Sequence, residues 1–146
     1  MNGLRQAVRR SLWVNFGAAA LLVAASAGTV SAADIHVTLS GSQEVPPVIT
    51  SAAGTGMITV GADNSISGTV TTTGVNGTAA HIHMAAPGAN GPVIIPLVKA
   101  GDGSWSVGPG AKLTDAQNDA LKAGSLYINV HSEANKGGEI RGQIKP

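Results

Sequence analysis

The chain has 146 residues, no cysteine, a formal net charge of +1, and 3% aromatic residues. The absence of cysteine excludes a disulfide framework, and no basic stripe is present that would indicate nucleic-acid binding. This length predicts one domain with a modest, mainly aliphatic core.

Residues 1–33 are predicted to be a secretory signal peptide. Basic residues at positions 5, 9 and 10 precede an apolar run over 12–27, and Val30-Ser31-Ala32-Ala33 supplies small residues for cleavage after Ala32 or Ala33. The apolar run is shorter than the roughly 20 residues that span a bilayer, so no membrane span is expected after cleavage. The arginine pair leaves both the general and the twin-arginine export routes open. We therefore expect a periplasmic or secreted protein.

Removal of this segment changes the charge of the chain. Three of the nine Lys and Arg residues leave with it, so six basic residues remain against eight Asp and Glu. The predicted folded domain, residues 34–146, is therefore slightly acidic.

Short strands are predicted along most of this domain, because apolar and polar residues alternate within segments bounded by turn residues. The predicted strands cover residues 35–39, 54–60, 65–72, 78–84, 93–98, 104–107, 126–130 and 139–144. Asp63-Asn64 and Asn76-Gly77 are typical of tight turns. The strongly apolar segment 93–98 is expected to be buried on both faces.

One helix is predicted at about residues 114–123. Thr114 is a suitable N-cap, Gln117 completes a capping-box pattern, and Gly124 is placed to end the helix. Leu113 and Leu121 are expected to face the core together with the alanines at 116, 120 and 123. One short helix among short strands with glycine-rich turns indicates an all-β fold, an antiparallel Greek-key sandwich or barrel.

Three histidines form the main candidate site. His81 and His83 share one face of a predicted strand because side chains repeat every two residues, and His131 directly follows the predicted strand 126–130. If these strands are neighbours, the imidazoles converge into a metal site suited to copper, zinc, iron or nickel. The alternative is that the histidines brace the strands without a metal. His36 and Met84 are further candidate ligands, although a regular strand directs Met84 away from His83.

Two acidic residues and one arginine are the other notable charged groups. Glu139 and Arg141 share a face of the last strand, which predicts an ion pair that pins a loop. Alternatively, Arg141 attracts an anion beside a metal. Glu44, just before Pro46-Pro47, is expected to accept backbone hydrogen bonds. The sequence has no nucleophile motif or phosphate-binding loop, so a hydrolase or nucleotide enzyme is not expected.

Several motifs, in order, resemble the CHRD domain family, and the similarity extends from about residue 35 to 144. The motifs that carry it are Gly41-Ser42-Gln43-Glu44-Val45-Pro46-Pro47, Ala80-His81-Ile82-His83, 88–93, Leu113-Thr114, 124–131 and 138–143. The resemblance identifies residues 34–146 as a CHRD-like β domain of an exported bacterial protein. It implies a binding or scaffolding role.

The chain also resembles the copper/zinc superoxide dismutase barrel. That family likewise has a His-x-His strand, a Gly-Pro loop and a late strand histidine followed by an arginine. On this resemblance His81, His83 and His131 are copper ligands, and Arg141 guides an anion. Residues 88–98 contain no histidine for the bridging and zinc ligands, and the cysteine pair is absent. The resemblance therefore extends to a copper-only site.

Three functions remain open from the sequence. The leading one is an exported binding domain that holds copper through the three histidines. The others are a copper-dependent redox enzyme of the superoxide dismutase type and a structural or protein-binding module without metal. The expected partner is accordingly a metal ion or another protein, and enzymatic activity is the less favoured expectation.

Overall fold

The structure is a computed structural model that describes residues 32–146. Apart from its last two residues, the predicted signal peptide lies outside the described residues. Within the described part of the chain, no helix is long and apolar enough to cross a membrane.

Within residues 32–146, eight strands and one α-helix make up the fold, and every predicted strand and the predicted helix are present with small differences at their ends. Their bounds are β1 Ala33–Ser40, β2 Ala53–Val60, β3 Ile66–Thr73, β4 Gly77–Met84, β5 Val93–Gly101, β6 Ser104–Val107, α1 Asp115–Lys122, β7 Leu126–Ser132 and β8 Ile140–Ile144. A single 3-10 turn, Gly41–Gln43, follows β1.

The strands close into one antiparallel barrel in the order β1-β2-β3-β6-β5-β4-β7-β8. Strands β4, β5 and β6 pair in sequence, and β7 then returns to lie beside β4. This arrangement is a Greek key. The predicted all-β Greek-key fold with one short helix is therefore confirmed, in its barrel form.

The barrel interior is filled by aliphatic side chains. Leu39, Ile58, Ile82, Ile128 and Ile140 have no exposed surface. Their neighbours in each strand face outward, because successive side chains of a strand point to opposite faces. The core therefore follows the alternation that predicts the strands.

The expectation that residues 93–98 are buried on both faces is wrong. Ile95 and Leu97 are buried, whereas Val93 is 48% and Val98 54% exposed. A closed barrel has a single interior, and no second layer covers these two valines on the outside of β5. The segment is therefore an ordinary half-buried strand.

The helix has the predicted caps. Gln117 N donates to Thr114 Oγ1 at 3.2 Å, and the Gln117 side chain accepts from Thr114 N at 2.9 Å. Gly124 follows the helix with φ 68°, a conformation that favours glycine. Leu113 and Leu121 are buried as expected and Ala120 is partly buried, but the alanines at 116 and 123 are exposed. The face of the helix that packs against the core is thus narrower than predicted.

Two isoleucine-to-alanine substitutions test the location of the core. Ile128→Ala removes a side chain with 0% exposure, and Ile49→Ala removes one with 105%. We expect Ile128→Ala to lower the free energy of unfolding by about 2–5 kcal/mol because it leaves a cavity. Ile49→Ala should change it by no more than about 0.5 kcal/mol. Urea denaturation followed by Trp105 fluorescence measures both, and equal effects would contradict the assignment.

Candidate metal centre

The candidate site lies on the outer face of the barrel, across β4, β7 and β8. His81 pairs with Asn129 across the sheet, and Asn129 pairs with Arg141 on its other side. His83 pairs with Tyr127 in the next outward row. Strand alternation thus places apolar side chains in the core and a continuous row of polar side chains outside it.

The three predicted histidines converge on this face. One nitrogen each from His81, His83 and His131 lies within 4.8 Å of the other two, and His81 Nδ1 is 2.9 Å from His131 Nε2. Nitrogens that share one tetrahedral metal ion at bond lengths of about 2.0–2.1 Å are roughly 3.4 Å apart. Ring movements of about 1 Å would bring three nitrogens at this spacing to bonding distance, so the group can hold a metal ion.

Backbone carbonyls orient two of these imidazoles. His83 Nδ1 lies 2.9 Å from Gly91 O, and His131 Nδ1 lies 2.8 Å from Lys136 O. A carbonyl only accepts, so each Nδ1 carries the hydrogen and each Nε2 keeps its lone pair. Fixing the second ring nitrogen in this way is the usual support of metal-binding histidines.

His81 completes the group with its Nδ1. Because His131 Nε2 is an acceptor, His81 Nδ1 donates the hydrogen between the two rings. A metal ion would take the place of that hydrogen, which would then move to Nε2 of His81. His81 is only partly buried, so solvent can reach the ring.

The surroundings of His81 and His83 favour the neutral form of these two rings. Burial lowers the pKa of His81, and the charges of His131 and His83 lower it further. Burial is also the largest cause of the lowered pKa of His83. Imidazole binds a metal through a lone pair, so the neutral state is the one that the site requires.

The two candidates for a fourth ligand do not join the cluster. His36 is exposed on β1, opposite Met57 of β2, and is not part of the histidine group. The side chain of Met84 packs against the hydrophobic core. Strand alternation explains the result for Met84, which points to the face opposite His83.

Arg141 is buried, with 1% exposure, and binds backbone rather than a carboxylate. Its guanidinium donates to Ala89 O at 2.8 Å and to Ala86 O at 3.3 Å. It also lies over the ring of Tyr127, with Cζ 3.4 Å from the centroid, and Tyr127 stacks on His83 with centroids 4.8 Å apart. Arg141 therefore pins the β4–β5 loop beside the histidines.

The predicted ion pair between Glu139 and Arg141 is absent from the described residues. The Glu139 carboxylate instead accepts hydrogen bonds from Thr50 Oγ1 and Ser132 Oγ. The predicted pinning role of Arg141 is present, but carbonyl groups are its partners.

Glu44 is a buried acid with 4% exposure, and it lies near Asn129 and Arg141. Burial raises its pKa to about 7, while the charge of Arg141, the Asn129 side chain and the backbone of Val45 act in the lowering direction. Glu44 lines a cavity of about 420 Å³ that Pro47 and Pro87 also border. The predicted backbone contact is present, but the burial of Glu44 is not evident from the sequence.

Sequence reasoning missed Asn129 as a member of this site. Its side chain is 3% exposed and lies between the histidine strand β4 and Arg141. A signal was available, because Asn129 stands two residues before His131 and therefore shares its face of β7.

The fold and site define a class of protein: an all-β Greek-key barrel that carries a three-histidine cluster on its outer face. Residues 35–144 match the model of the CHRD domain. The chain belongs to the CHRD domain family, and the predicted family is confirmed. Searches of curated proteins and of solved structures found no significant match.

The raised pKa of Glu44 predicts a specific pH dependence. Between pH 4.5 and 7 the folded protein retains a proton that the unfolded chain releases, so the free energy of unfolding falls as pH rises. Glu44→Gln has no carboxyl group to retain this proton. Its free energy of unfolding, minus that of the wild type, should therefore rise by about 2 kcal/mol from pH 4.5 to pH 8.

Urea denaturation across this pH range measures the difference. Glu133→Gln, at an exposed glutamate, serves as the control and should stay within about 0.5 kcal/mol of the wild type throughout. If the free energies of unfolding of Glu44→Gln and of the wild type change in parallel with pH, the prediction is contradicted.

Proposed function

We propose that this protein is a small exported binding domain that holds a copper ion through His81, His83 and His131. The observation that carries the proposal is the convergence of the three ring nitrogens, two of them with lone pairs fixed by backbone carbonyls. Family membership supports a binding module.

The donor set favours copper. Three imidazoles suit several transition metals, and among divalent first-row ions copper(II) binds a given nitrogen site most strongly. The cluster lies on two adjacent strands of a closed barrel, which fixes the ligand geometry. Bound copper would supply a redox-active ion, whereas the protein supplies neutral ligands and orients them.

Arg141 favours binding over a redox enzyme that attracts an anion. Its guanidinium is 1% exposed, and its donors are directed at the carbonyls of Ala86 and Ala89 and at the side-chain oxygens of Asn90 and Gln143. An anion would have to displace these acceptors to contact the guanidinium. We therefore propose a binding function in which Arg141 holds the loop.

Copper titration of the purified protein tests the site. Wild type should bind one copper(II) per chain, and the double variant His81→Ala, His83→Ala should lose this binding because two of three ligands are gone. His36→Ala is the matched control, since it removes an exposed histidine outside the cluster. It should bind like the wild type.

Isothermal titration calorimetry with metal analysis measures the stoichiometry. Equal copper uptake by wild type and double variant would overturn the proposed site. Failure of all proteins to bind copper would favour the structural or protein-binding module. Tighter binding of zinc than copper in a competition titration would contradict the choice of metal.

We also propose export to the periplasm or the cell exterior. The support is the N-terminal pattern of arginines, apolar run and small residues at 30–33. Expression of the full chain in a Gram-negative host, followed by fractionation and N-terminal sequencing, should yield periplasmic protein that begins at Ala33 or Asp34. Cytoplasmic protein with an intact N-terminus would contradict export.

A further inference from the structure

Three buried polar atoms without hydrogen-bond partners belong to His83 of the histidine cluster, to Asn129 beside it and to Glu44 beside Asn129. They are His83 Nε2, Asn129 Oδ1 and Glu44 Oε1. A buried polar atom without a partner costs about 1–3 kcal/mol, so three in one region suggest that a partner belongs there. His83 Nε2 is already explained as a metal donor, which leaves the two oxygens.

Asn129 is positioned to reach the same metal as the histidines. It pairs with His81 across the β4–β7 ladder and stands two residues before His131 on the same face of β7. His83 lies one outward row away, opposite Tyr127. The amide therefore lies on the outward face that carries all three imidazoles.

The neighbours of Asn129 fix the orientation of its amide group. Nδ2 points to Gly137 O at 3.4 Å, and the carboxyl group of Glu44 is also close to the Asn129 side chain. Both are acceptors, so the amide nitrogen belongs on this side. A Cβ added to Gly138 would lie 2.7 Å from Nδ2 and 2.4 Å from Glu44 Oε1, which shows how closely these groups meet.

The amide oxygen is left on the side of His83. The Asn129 side chain lies within interaction distance of the His83 ring. Gly91 O occupies Nδ1, so Nε2 is the ring nitrogen available to Asn129. In the neutral ring both Nε2 and Oδ1 are acceptors, and a hydrogen bond between them is not possible.

We propose that Asn129 Oδ1 is the fourth donor of the metal site, beside the three histidines. The inference rests on the proposed copper-binding function. A cation between Nε2 and Oδ1 satisfies two buried acceptors at once. Amide oxygens serve as weak, long ligands in copper sites with histidine ligands. Glu44 and Gly137 act as positioning groups that hold the amide nitrogen away from the metal.

Asn129→Leu and Asn129→Asp test this assignment. Leucine has a similar size and no donor, so it should weaken copper(II) binding by roughly 10- to 100-fold and change the g and hyperfine values of the copper(II) electron paramagnetic resonance spectrum. Aspartate keeps an oxygen at the same position and should restore most of the affinity. Asn76→Leu, at an exposed asparagine in the β3–β4 turn, is the control and should match the wild type.

A direct readout comes from protein labelled with ¹³C at the asparagine side-chain carbonyl. Electron-nuclear double resonance of the copper-loaded wild type should show a strong ¹³C coupling that is lost in Asn129→Asp and kept in Asn76→Leu. No such coupling in the wild type, or a wild-type spectrum and affinity in Asn129→Leu, would overturn the inference alone. Failure of the wild type to bind copper would overturn the proposed function and the inference together.

Discussion

The pairing of β7 with β4 on one side and with β8 on the other is the constraint from which the site follows. Along β7, Ile128 and Val130 point into the barrel. Tyr127, Asn129 and His131 alternate with them and point outward. A shift of one residue in this register would put Asn129 and His131 into the core, where their polar groups would lack partners. The aliphatic core therefore enforces the register, and the register brings the histidines together.

Arg141 connects strand β8 to the β4–β5 loop. A fully buried guanidinium without a carboxylate partner is unusual, and the structure stabilises it with carbonyl acceptors at 86 and 89 and with the face of Tyr127. Glu44, whose carboxyl pKa is about 7, stays partly protonated near neutral pH and compensates the charge only in part. This cation helps to hold the loop that lies over Tyr127 and His83. Tyr127 and Asn129 are consequently buried although they lie on the outer face of β7.

The sequence predicted the strands well because most of them are half-buried, and a half-buried strand shows alternating apolar and polar residues. It failed for 93–98, since an apolar run does not show whether a second layer covers the outer face. For the site, the spacing of two residues predicted that His81 and His83 share a face, and His131 was a candidate because it ends another predicted strand. Burial of Glu44 and Arg141 depends on loops that fold back from distant parts of the chain, and local pattern carries no information about such contacts. The same two-residue spacing places Asn129 on the face of β7 that carries His131, so the sequence could have indicated it.

Gly91 gives the loop and the histidine cluster a common point of attachment. Its carbonyl holds the ring of His83, and its amide donates to Tyr127 Oη at 3.2 Å. A side chain here would collide with Met84 O, 1.9 Å from an added Cβ, so the attachment requires glycine. Any ligand that stabilises this orientation of His83 must, by thermodynamic linkage, also stabilise the position of the loop that Gly91 anchors. Slowed hydrogen exchange at the Gly91 amide would accordingly report occupancy of the cluster from a backbone position that touches no ion.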